Sequence, residues 1–371
     1  MIAILAILRE SWLALRAEKL FKVVLGLNVL VIIAYGSIGF DETGVSMFYG
    51  LSHVESEYVY AGSSFAKTLY LGIYSAFIVN IWLAWAASIL ALVSTSSIFP
   101  SMLASGSVEL LLSRPTRRTT IMLVKYIGGL LFVMLQVGIF TLGAFMAAGW
   151  RIDVWDPTIF LAIPLVTLFY SYLFCVNVLV GILTRSTLVA LLATLLFWFS
   201  TFGVRTADDV MDRYVLITEK TIERSTKRID EINVELQTAK SQDDQRAIED
   251  ATHWLKRPQE ELDLAQKAMD TIKPWHTVIQ SIRMVMPETA STIGLLHREL
   301  ERDAEMTMMD LMTGRAFNED DEEDLSEEQE AELELQEREL QVSAVWIIGK
   351  SMIFEIVVLG IGLWLFLRRD F

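Results

Sequence analysis

The chain has 371 residues, of which 53% are hydrophobic and 21% charged, and its formal net charge at pH 7 is −15. Its apolar runs are longer than a helix in a soluble core needs, which excludes a soluble globular protein, and no nucleic-acid partner is expected. The single cysteine, Cys175, excludes an intramolecular disulfide and a cysteine-based metal site.

Residues 1–20 precede the first predicted span and do not have the pattern of a secretory signal, because no positive charge precedes their apolar start. Arg9 and Arg16 lie on a different helical face from the apolar positions. We predict an amphipathic helix in the cytoplasmic interface, in contact with membrane lipid; a cytoplasmic extension of the first span is the alternative. The apolar positions at helical spacing are Leu5, Leu8, Trp12 and Leu15.

Six later segments have the length and apolar character of membrane-spanning helices. A bilayer core about 30 Å thick takes roughly 20 helical residues to cross, and each span must satisfy its backbone groups internally. We therefore predict an all-α integral membrane protein with six transmembrane helices, five of them within 21–204 and the sixth within 345–371. The predicted spans are Phe21–Gly39, Thr68–Val93, Ile121–Gly149, Thr158–Leu183, Thr187–Gly203 and Val345–Leu367.

The distribution of Lys and Arg predicts the orientation, because cytoplasmic loops carry an excess of both. The loops and ends on one side carry Arg9, Arg16, Lys19, Lys22, Arg114, Arg117, Arg118, Lys125, Arg185, Arg368 and Arg369. The other side has little beyond Lys67, Arg151 and Lys350. Both termini are therefore predicted to be cytoplasmic, in a multi-pass protein of the cytoplasmic (inner) membrane.

The stretch SGSVELLLSRPTRRTTIMLVKY, Ser105–Tyr126, begins between the second and third spans. Residues 101–114 predict a helix of about two to three turns, too short to cross a bilayer, so it must lie at the cytoplasmic face. Pro115 ends it and Thr116 caps the third span. Its apolar side consists of Val108, Leu111 and Leu112, with Glu109 on the polar side.

Three arginines, Arg114, Arg117 and Arg118, anchor the third span at the lipid phosphates. Anchoring alone does not explain the helix before them. A rigid amphipathic element between two spans suits the transmission of force from a cytoplasmic partner, because its displacement must move both spans.

Polar residues inside the spans are Asn28, Asn80, Asn177, Lys350 and Glu355. The asparagines favour interhelical hydrogen bonds, worth about 1 kcal/mol or less each. Glu355 lies near the middle of the sixth span, where an ionisable group is costly and is by default a functional candidate. A shifted span boundary, which would lift it toward the outer interface, is the alternative.

Residues 205–344 differ in composition from the membrane part. They contain 17 Lys plus Arg and 35 Asp plus Glu, a net charge of −18, which leaves +3 for the rest of the chain. Five crossings from a cytoplasmic start place this acidic insertion outside, since long loops translocate largely regardless of charge.

The first half of the insertion has two heptad seams joined by the polar link Lys240–Asp244, which contains a capping signal. They predict an antiparallel coiled-coil hairpin over 206–272, a surface for an extracytoplasmic protein, with two amphipathic helices packed elsewhere as the alternative. Pro258 is predicted to kink or interrupt the second arm. The first seam is Val215, Thr218, Ile222, Ser225, Ile229, Ile232, Leu236 and Ala239; the second is Ala251, Leu255, Pro258, Leu262, Ala265, Met269 and Ile272.

The second half of the insertion begins with Pro274–Leu300, which predicts two helices, separated at Pro287, on the membrane surface or against the bundle. The acidic block 318–339 predicts a solvated helix or disorder, and it lacks the spaced Asp/Asn–Gly loop of an EF-hand.

Two weak chemical signals remain. Gly349-Lys350-Ser351 resembles the end of a phosphate-binding loop, but the first position of that motif is Ala344 instead of Gly, so the chain lacks a nucleotide-binding motif of its own and is not an enzyme by that route. His53 with Glu55 and Glu57 could contact a metal, although an exposed loop is favoured and no metal is assigned.

The segment SGSVELLLSRPTRRTTIMLVKYIGGLL resembles the region after the second span in permeases of the type-2 ABC exporter class, NosY-like branch, as does the ending Leu367–Phe371. The resemblance implies a permease that pairs with another, usually itself, and with a cytoplasmic ABC ATPase subunit that binds ATP and Mg²⁺; this chain binds no cofactor. It also implies that the short helix is a coupling helix docked on the ATPase. The coupling residues are then Ser105, Gly106, Val108, Glu109, Leu111, Leu112, Arg114, Pro115, Arg117 and Arg118.

Other function classes fit less well. A membrane scaffold that recruits partners through its hairpin needs fewer than six spans and gives the coupling helix no role. An intramembrane hydrolase would need a Ser–His pair, paired Asp residues or metal ligands at matching depth, and the spans contain none.

Overall fold

A computed structural model describes residues 19–56, 59–103, 117–300, 302, 334–335, 338 and 340–368. The described chain forms two compact units. The first comprises the residues up to Phe199, those from Pro287 to 302, and those from Ser343 onward. The second comprises Ser200–Met286 and the described residues of 334–342. The predicted interfacial helix and most of the acidic block lie outside the described residues.

Helices dominate the first unit. In chain order its elements are α1 (Lys19–Gly36), β1 (Gly39–Asp41), β2 (Gly44–Met47), a 3₁₀ turn (Phe48–Gly50), β3 (Ser52–Glu55), α2 (Ser64–Gly72), a π-helix (Ile73–Ala87), α3 (Ser88–Thr95), α4 (Ile98–Met102), α5 (Arg118–Ile152), a 3₁₀ helix (Pro157–Leu161), α6 (Ala162–Thr184), the start of α7 (Thr187–Ser241), α9 (Thr289–Leu300) and α10 (Ala344–Arg368).

Within the described residues, five helical stretches are long and apolar enough to cross a membrane: Ser64–Met102, Arg118–Ile152, Pro157–Thr184, Thr187–Ser241 and Ala344–Arg368. They coincide with predicted spans two to six, and a mostly helical membrane protein is confirmed. The apolar part of α1, Lys22–Gly36, is shorter, so a sixth crossing stays a prediction. The first span was predicted to reach Gly39, but the helix ends at Gly36, because Gly39 pairs in a β-strand.

Helix α6 is central to the first unit, where it packs against α5, α9 and α10. Hydrocarbon gives helices no hydrophobic reason to associate, so close packing and interhelical hydrogen bonds hold such a bundle together. The buried aromatic side chains of α6 supply much of this packing; they are Phe169, Tyr170, Tyr172 and Phe174.

Gly129 of α5 lies against the ring of Phe174 in this aromatic cluster. A Cβ at Gly129 would lie 2.7 Å from Cε1 of Phe174, whose ring is fully buried and stacked on Tyr126. We expect Gly129→Ala to destabilise the protein by about 1–3 kcal/mol through overpacking. Gly138→Ala, on the same helix, is the control. It gains the same helix propensity, but a Cβ at Gly138 would lie 3.8 Å from its nearest heavy atom. Thermal unfolding of the two variants in detergent checks this, and equal midpoints would contradict it.

A small antiparallel sheet follows α1 and corrects the purely helical prediction. Its order is β1-β2-β3, with Phe40 opposite Val45 and Val45 opposite Val54. Strands of three or four residues are too short to give a readable alternation in the sequence. Arg151, near the end of α5, holds the sheet through hydrogen bonds from Nε to the Ile38 carbonyl oxygen at 3.2 Å and from Nη2 to Ser46 Oγ at 3.4 Å.

The sequence left open whether the helix after Pro287 lies on the membrane surface or against the bundle, and the position of α9 decides between them. The chain breaks at Pro287, as predicted, and α9 then packs against α6, α10 and the π-helix. It lies in the bundle core and not on the surface, because its apolar residues form one buried face, with Ile293, Leu296 and Leu300 among them. Contacts thus assign this part of the predicted insertion to the first unit.

The second unit contains the polar part of α7 and helix α8 (Gln245–Val285). The turn between them ends at Asp244, whose carboxylate accepts hydrogen bonds from the backbone N–H groups of Arg246 and Ala247. The arms are antiparallel, since Asp208 pairs with Arg283 near the open end and Asp212 pairs with His276 one turn further along.

Every residue of the two predicted seams is buried or half-buried, which fits their expected inward position; packing as a coiled coil stays a prediction. Pro258 was predicted to kink or interrupt the second arm. The interruption is wrong, because α8 continues through Pro258 and Pro274 to Val285, and the kink stays a prediction. An internal proline costs roughly 3 kcal/mol. In a helix of 41 residues, the remaining backbone hydrogen bonds and the burial of Pro258 offset that cost.

Candidate functional site

Most of the predicted coupling segment, residues 104–116, lies outside the described residues. The described chain before it ends with α4 and Leu103, and the chain after it resumes at Arg117, which is exposed. Arg117 has extended backbone geometry and occupies the N-cap position of α5, one residue later than the predicted cap at Thr116. The sequence prediction of this segment therefore stands untested.

Glu355 of α10 is contacted by hydroxyl groups from two other helices. The Tyr126 hydroxyl of α5 donates a hydrogen bond to Glu355 Oε1 at 2.7 Å, and Ser171 Oγ of α6 donates to Oε2 at 2.8 Å. The carboxylate thus faces the bundle, where three spanning helices meet, and its side chain is half-buried. A bidentate polar contact of this kind is what an ionisable residue inside a membrane protein requires.

The two hydroxyl groups that hold Glu355 each have a second acceptor. Tyr126 Oη also lies 3.1 Å from the Ser171 carbonyl oxygen, and Ser171 Oγ lies 2.7 Å from the Leu168 carbonyl oxygen. A hydroxyl has one proton to donate, so the carboxylate and the backbone compete for it. If α10 moved away, both hydroxyls would keep a backbone partner on α6. The contact can therefore open without leaving a buried hydroxyl unpaired.

Lys350 lies one and a half turns before Glu355 and forms a buried ion pair that the sequence did not predict. Its Nζ lies 2.6 Å from Glu288 Oε1, and Glu288 is 6% exposed. Ser291 Oγ donates to Glu288 Oε2 at 3.1 Å, and the Glu288 N–H donates to Ser351 Oγ at 2.9 Å. The start of α9 is thereby fixed to α10. Glu288 was missed because 62 residues separate the partners.

Two of the three asparagines that were predicted to lie inside spans make the predicted interhelical contacts. Asn28 is fully buried and accepts a hydrogen bond from Trp82 Nε1 at 2.8 Å, which joins α1 to the π-helix. Asn177 Nδ2 donates to Thr194 Oγ1 at 3.3 Å, which joins α6 to α7. Asn80 is exposed on the π-helix. These contacts favour a packing role for Asn28 and Asn177.

The predicted weak metal signal at His53 is not strengthened. His53 Nε2 lies 3.0 Å from Thr43 Oγ1 and its Nδ1 lies 3.6 Å from Asp41 Oδ2, on the exposed strand β3. In the part of the chain that the structure describes, three potential ligands converge instead in the second unit, at Asp208, Asp212 and His276. No motif marks this group, because His276 comes from the opposite arm.

Charged residues of the second unit perturb one another. Burial raises the pKa of Asp209 above its ordinary value, against the opposing effect of the Arg205 and Arg283 guanidinium groups. In the acidic block, a hydrogen bond from Lys220 lowers the pKa of Glu334, and the two groups lie 3.1 Å apart. The described part of the acidic block thus contacts α7.

Comparison with known proteins agrees with this architecture. The family model described as ABC-2 family transporter protein matches residues 13–371, which is nearly the whole chain. Searches among curated proteins and among solved structures gave no significant match. The chain therefore belongs to the ABC-2 transporter family: it is a membrane-embedded, multi-pass permease subunit of an ABC transporter, and the ATPase that drives such a permease is a partner subunit.

Proposed function

We propose that this chain is an exporter permease of the NosY-like branch that pairs with a second permease, most simply a second copy of itself. ATP and Mg²⁺ bind to the cytoplasmic ABC ATPase subunit, whose hydrolysis cycle drives either export of a substrate or action on a partner protein outside. The permease sits in the cytoplasmic (inner) membrane with both termini in the cytoplasm, as the Lys and Arg distribution predicts.

The length of α7 is the observation that supports action on a partner protein outside. One helix, Thr187–Ser241, contains both the apolar stretch of the fifth predicted span and the first arm of the polar hairpin. A continuous helix transmits rotation or tilt along its axis, because its backbone hydrogen bonds resist bending. Ion pairs between Asp208 and Arg283 and between Asp212 and His276 fix the second arm to the first. The hairpin is suited to act as a lever on an extracytoplasmic protein that binds along 206–272.

Glu355 is the intramembrane group that we assign to the transport cycle. Its contacts with Tyr126 and Ser171 join α10 to α5 and α6, and both hydroxyls have an alternative backbone acceptor. A contact with two satisfied arrangements at the meeting point of three helices can open and close as the helices move.

Glu109→Lys tests the proposed coupling helix. We expect the variant to lose ATPase coupling, by about tenfold or more, since reversing a charge at a docking surface costs on the order of several kcal/mol. The permease is co-expressed with candidate ATPase subunits, purified in nanodiscs, and assayed for co-purification and ATP hydrolysis. Glu42→Lys, a charge reversal in the exposed β1–β2 turn, is the matched control.

Each outcome of this experiment separates the exporter from the scaffold. Reduced hydrolysis in Glu109→Lys alone supports the permease with its coupling helix at 101–114. Unchanged hydrolysis with a co-purified ATPase would remove the docking assignment and leave the permease. Well-folded wild-type protein that captures no ATPase would favour the scaffold, with the hairpin as its binding surface.

A further inference from the structure

The second unit brings together three side chains that are typical metal ligands. Asp208 and Asp212 lie one turn apart on α7, and His276 lies on the opposing arm α8. Their nearest ligand atoms, two carboxylate oxygens and one imidazole nitrogen, all lie within 4.8 Å of one another. Four-coordinate Zn²⁺ holds such atoms at about 2.0–2.2 Å from the ion, and therefore roughly 3.3 Å apart. A modest closure of the two arms would meet that geometry.

One atom of this group points independently to a bound cation. Asp208 is 1% exposed, and its Oδ1 is buried with no hydrogen-bond partner among the described residues. A buried carboxylate oxygen without a partner costs free energy, and such an atom in a folded protein requires an explanation. Oδ2 of the same carboxylate is satisfied by Arg283. The unpartnered oxygen is also the one that faces the imidazole of His276.

The neighbouring cations do not satisfy this oxygen. Arg283 contacts Asp208 Oδ2 and approaches Asp209 Oδ1 at 3.8 Å. His276 Nε2 lies 3.9 Å from Asp208 Oδ1, which is beyond hydrogen-bonding distance, whereas it lies 2.7 Å from Asp212 Oδ1. The Gln280 amide also contacts the same nitrogen, at 3.0 Å. An ion placed between Nε2 and the two Oδ1 atoms would satisfy all three.

We propose that Asp208, Asp212 and His276 bind a divalent transition-metal ion of the Zn²⁺ type. One imidazole nitrogen and two carboxylate oxygens form a ligand set that Zn²⁺ accepts, and a water completes the fourth position. The two carboxylates carry a charge of −2, of which Arg283 neutralises part, so binding is weaker than in a closed structural site. The ion bridges the arms of the hairpin at its open end and fixes their separation. This site does not depend on the proposed exporter function.

The test uses the full chain, purified in nanodiscs without a polyhistidine tag and treated with chelator. Isothermal titration with Zn²⁺ should give one bound ion per chain for the wild type. His276→Ala and Asp212→Asn should weaken binding by at least about 10-fold to 100-fold or abolish it, because loss of an outer-shell partner alone already weakens metal binding by that factor. His253→Ala, which removes an exposed histidine from the same helix, should bind Zn²⁺ like the wild type. Asp208 is left unchanged because of its pairing with Arg283.

A second measurement does not rely on variants. Co²⁺ added to the wild type should give the intense visible bands of a four- or five-coordinate ion without thiolate charge transfer, and Zn²⁺ should displace it. Folded wild type that binds no Zn²⁺, or that leaves Co²⁺ with the weak spectrum of the hydrated ion, would overturn the proposal. Equal Zn²⁺ binding by wild type and by folded His276→Ala would overturn it as well.

Discussion

Lys350→Met should destabilise the protein by about 3–5 kcal/mol, because it breaks a buried ion pair by removing the ammonium group that contacts the carboxylate of Glu288. The Glu288 side chain is 7% exposed, and its Oε1 lies 2.6 Å from Lys350 Nζ. Ser291 also donates a hydrogen bond to this carboxylate, but a neutral hydroxyl cannot compensate a full charge. Chemical denaturation of the wild type and the variant in detergent measures the difference.

Two controls separate loss of the ion pair from loss of the lysine itself. Lys67→Met removes an exposed lysine and should change stability little, since surface charges contribute little. The double variant Glu288→Gln/Lys350→Met removes both charges and should recover most of the loss. If the double variant is as unstable as Lys350→Met, the cause is packing around Trp346, over whose ring the ammonium lies at 5.2 Å.

The sequence predicted what depends on local composition. In hydrocarbon, the backbone N–H and C=O groups of an apolar run such as Thr158–Leu183 are satisfied when the run is helical, and the structure has a helix there. The break at Pro287 follows from the restricted backbone before proline. The seams of the hairpin also follow from spacing alone, and their residues are at least half-buried.

Features that depend on long-range pairing could not be predicted. Glu288 and Lys350 belong to segments 62 residues apart, and only the packing of α9 against α10 brings them together. The same holds for Asp212 and His276, whose contact depends on the register of two antiparallel arms. Pro258 does not interrupt α8, because the rest of a long helix outweighs the local rule. The partners of Glu355, Tyr126 and Ser171, come from two other spans and carry no motif.

Glu355→Gln should reduce ATP hydrolysis coupled to the permease by about tenfold or more, which corresponds to about 1.4 kcal/mol. Glutamine keeps an oxygen acceptor for Tyr126 or Ser171 but has no carboxylate to hold two hydroxyl donors. The variant is purified in nanodiscs with the partner ATPase, and its hydrolysis rate is compared with that of the wild type.

The stability of Glu355 variants distinguishes a functional carboxylate from a structural one. Because Tyr126 and Ser171 each keep a backbone acceptor on α6, even Glu355→Leu leaves no buried hydroxyl unpaired, so the thermal midpoint should change little. Asn80→Leu, an exposed polar residue of another span, should affect neither quantity. A large drop in the midpoint of Glu355→Leu together with normal hydrolysis in Glu355→Gln would assign the carboxylate to packing. Lost hydrolysis at an unchanged midpoint would mean that opening and closing of this contact belongs to the transport cycle.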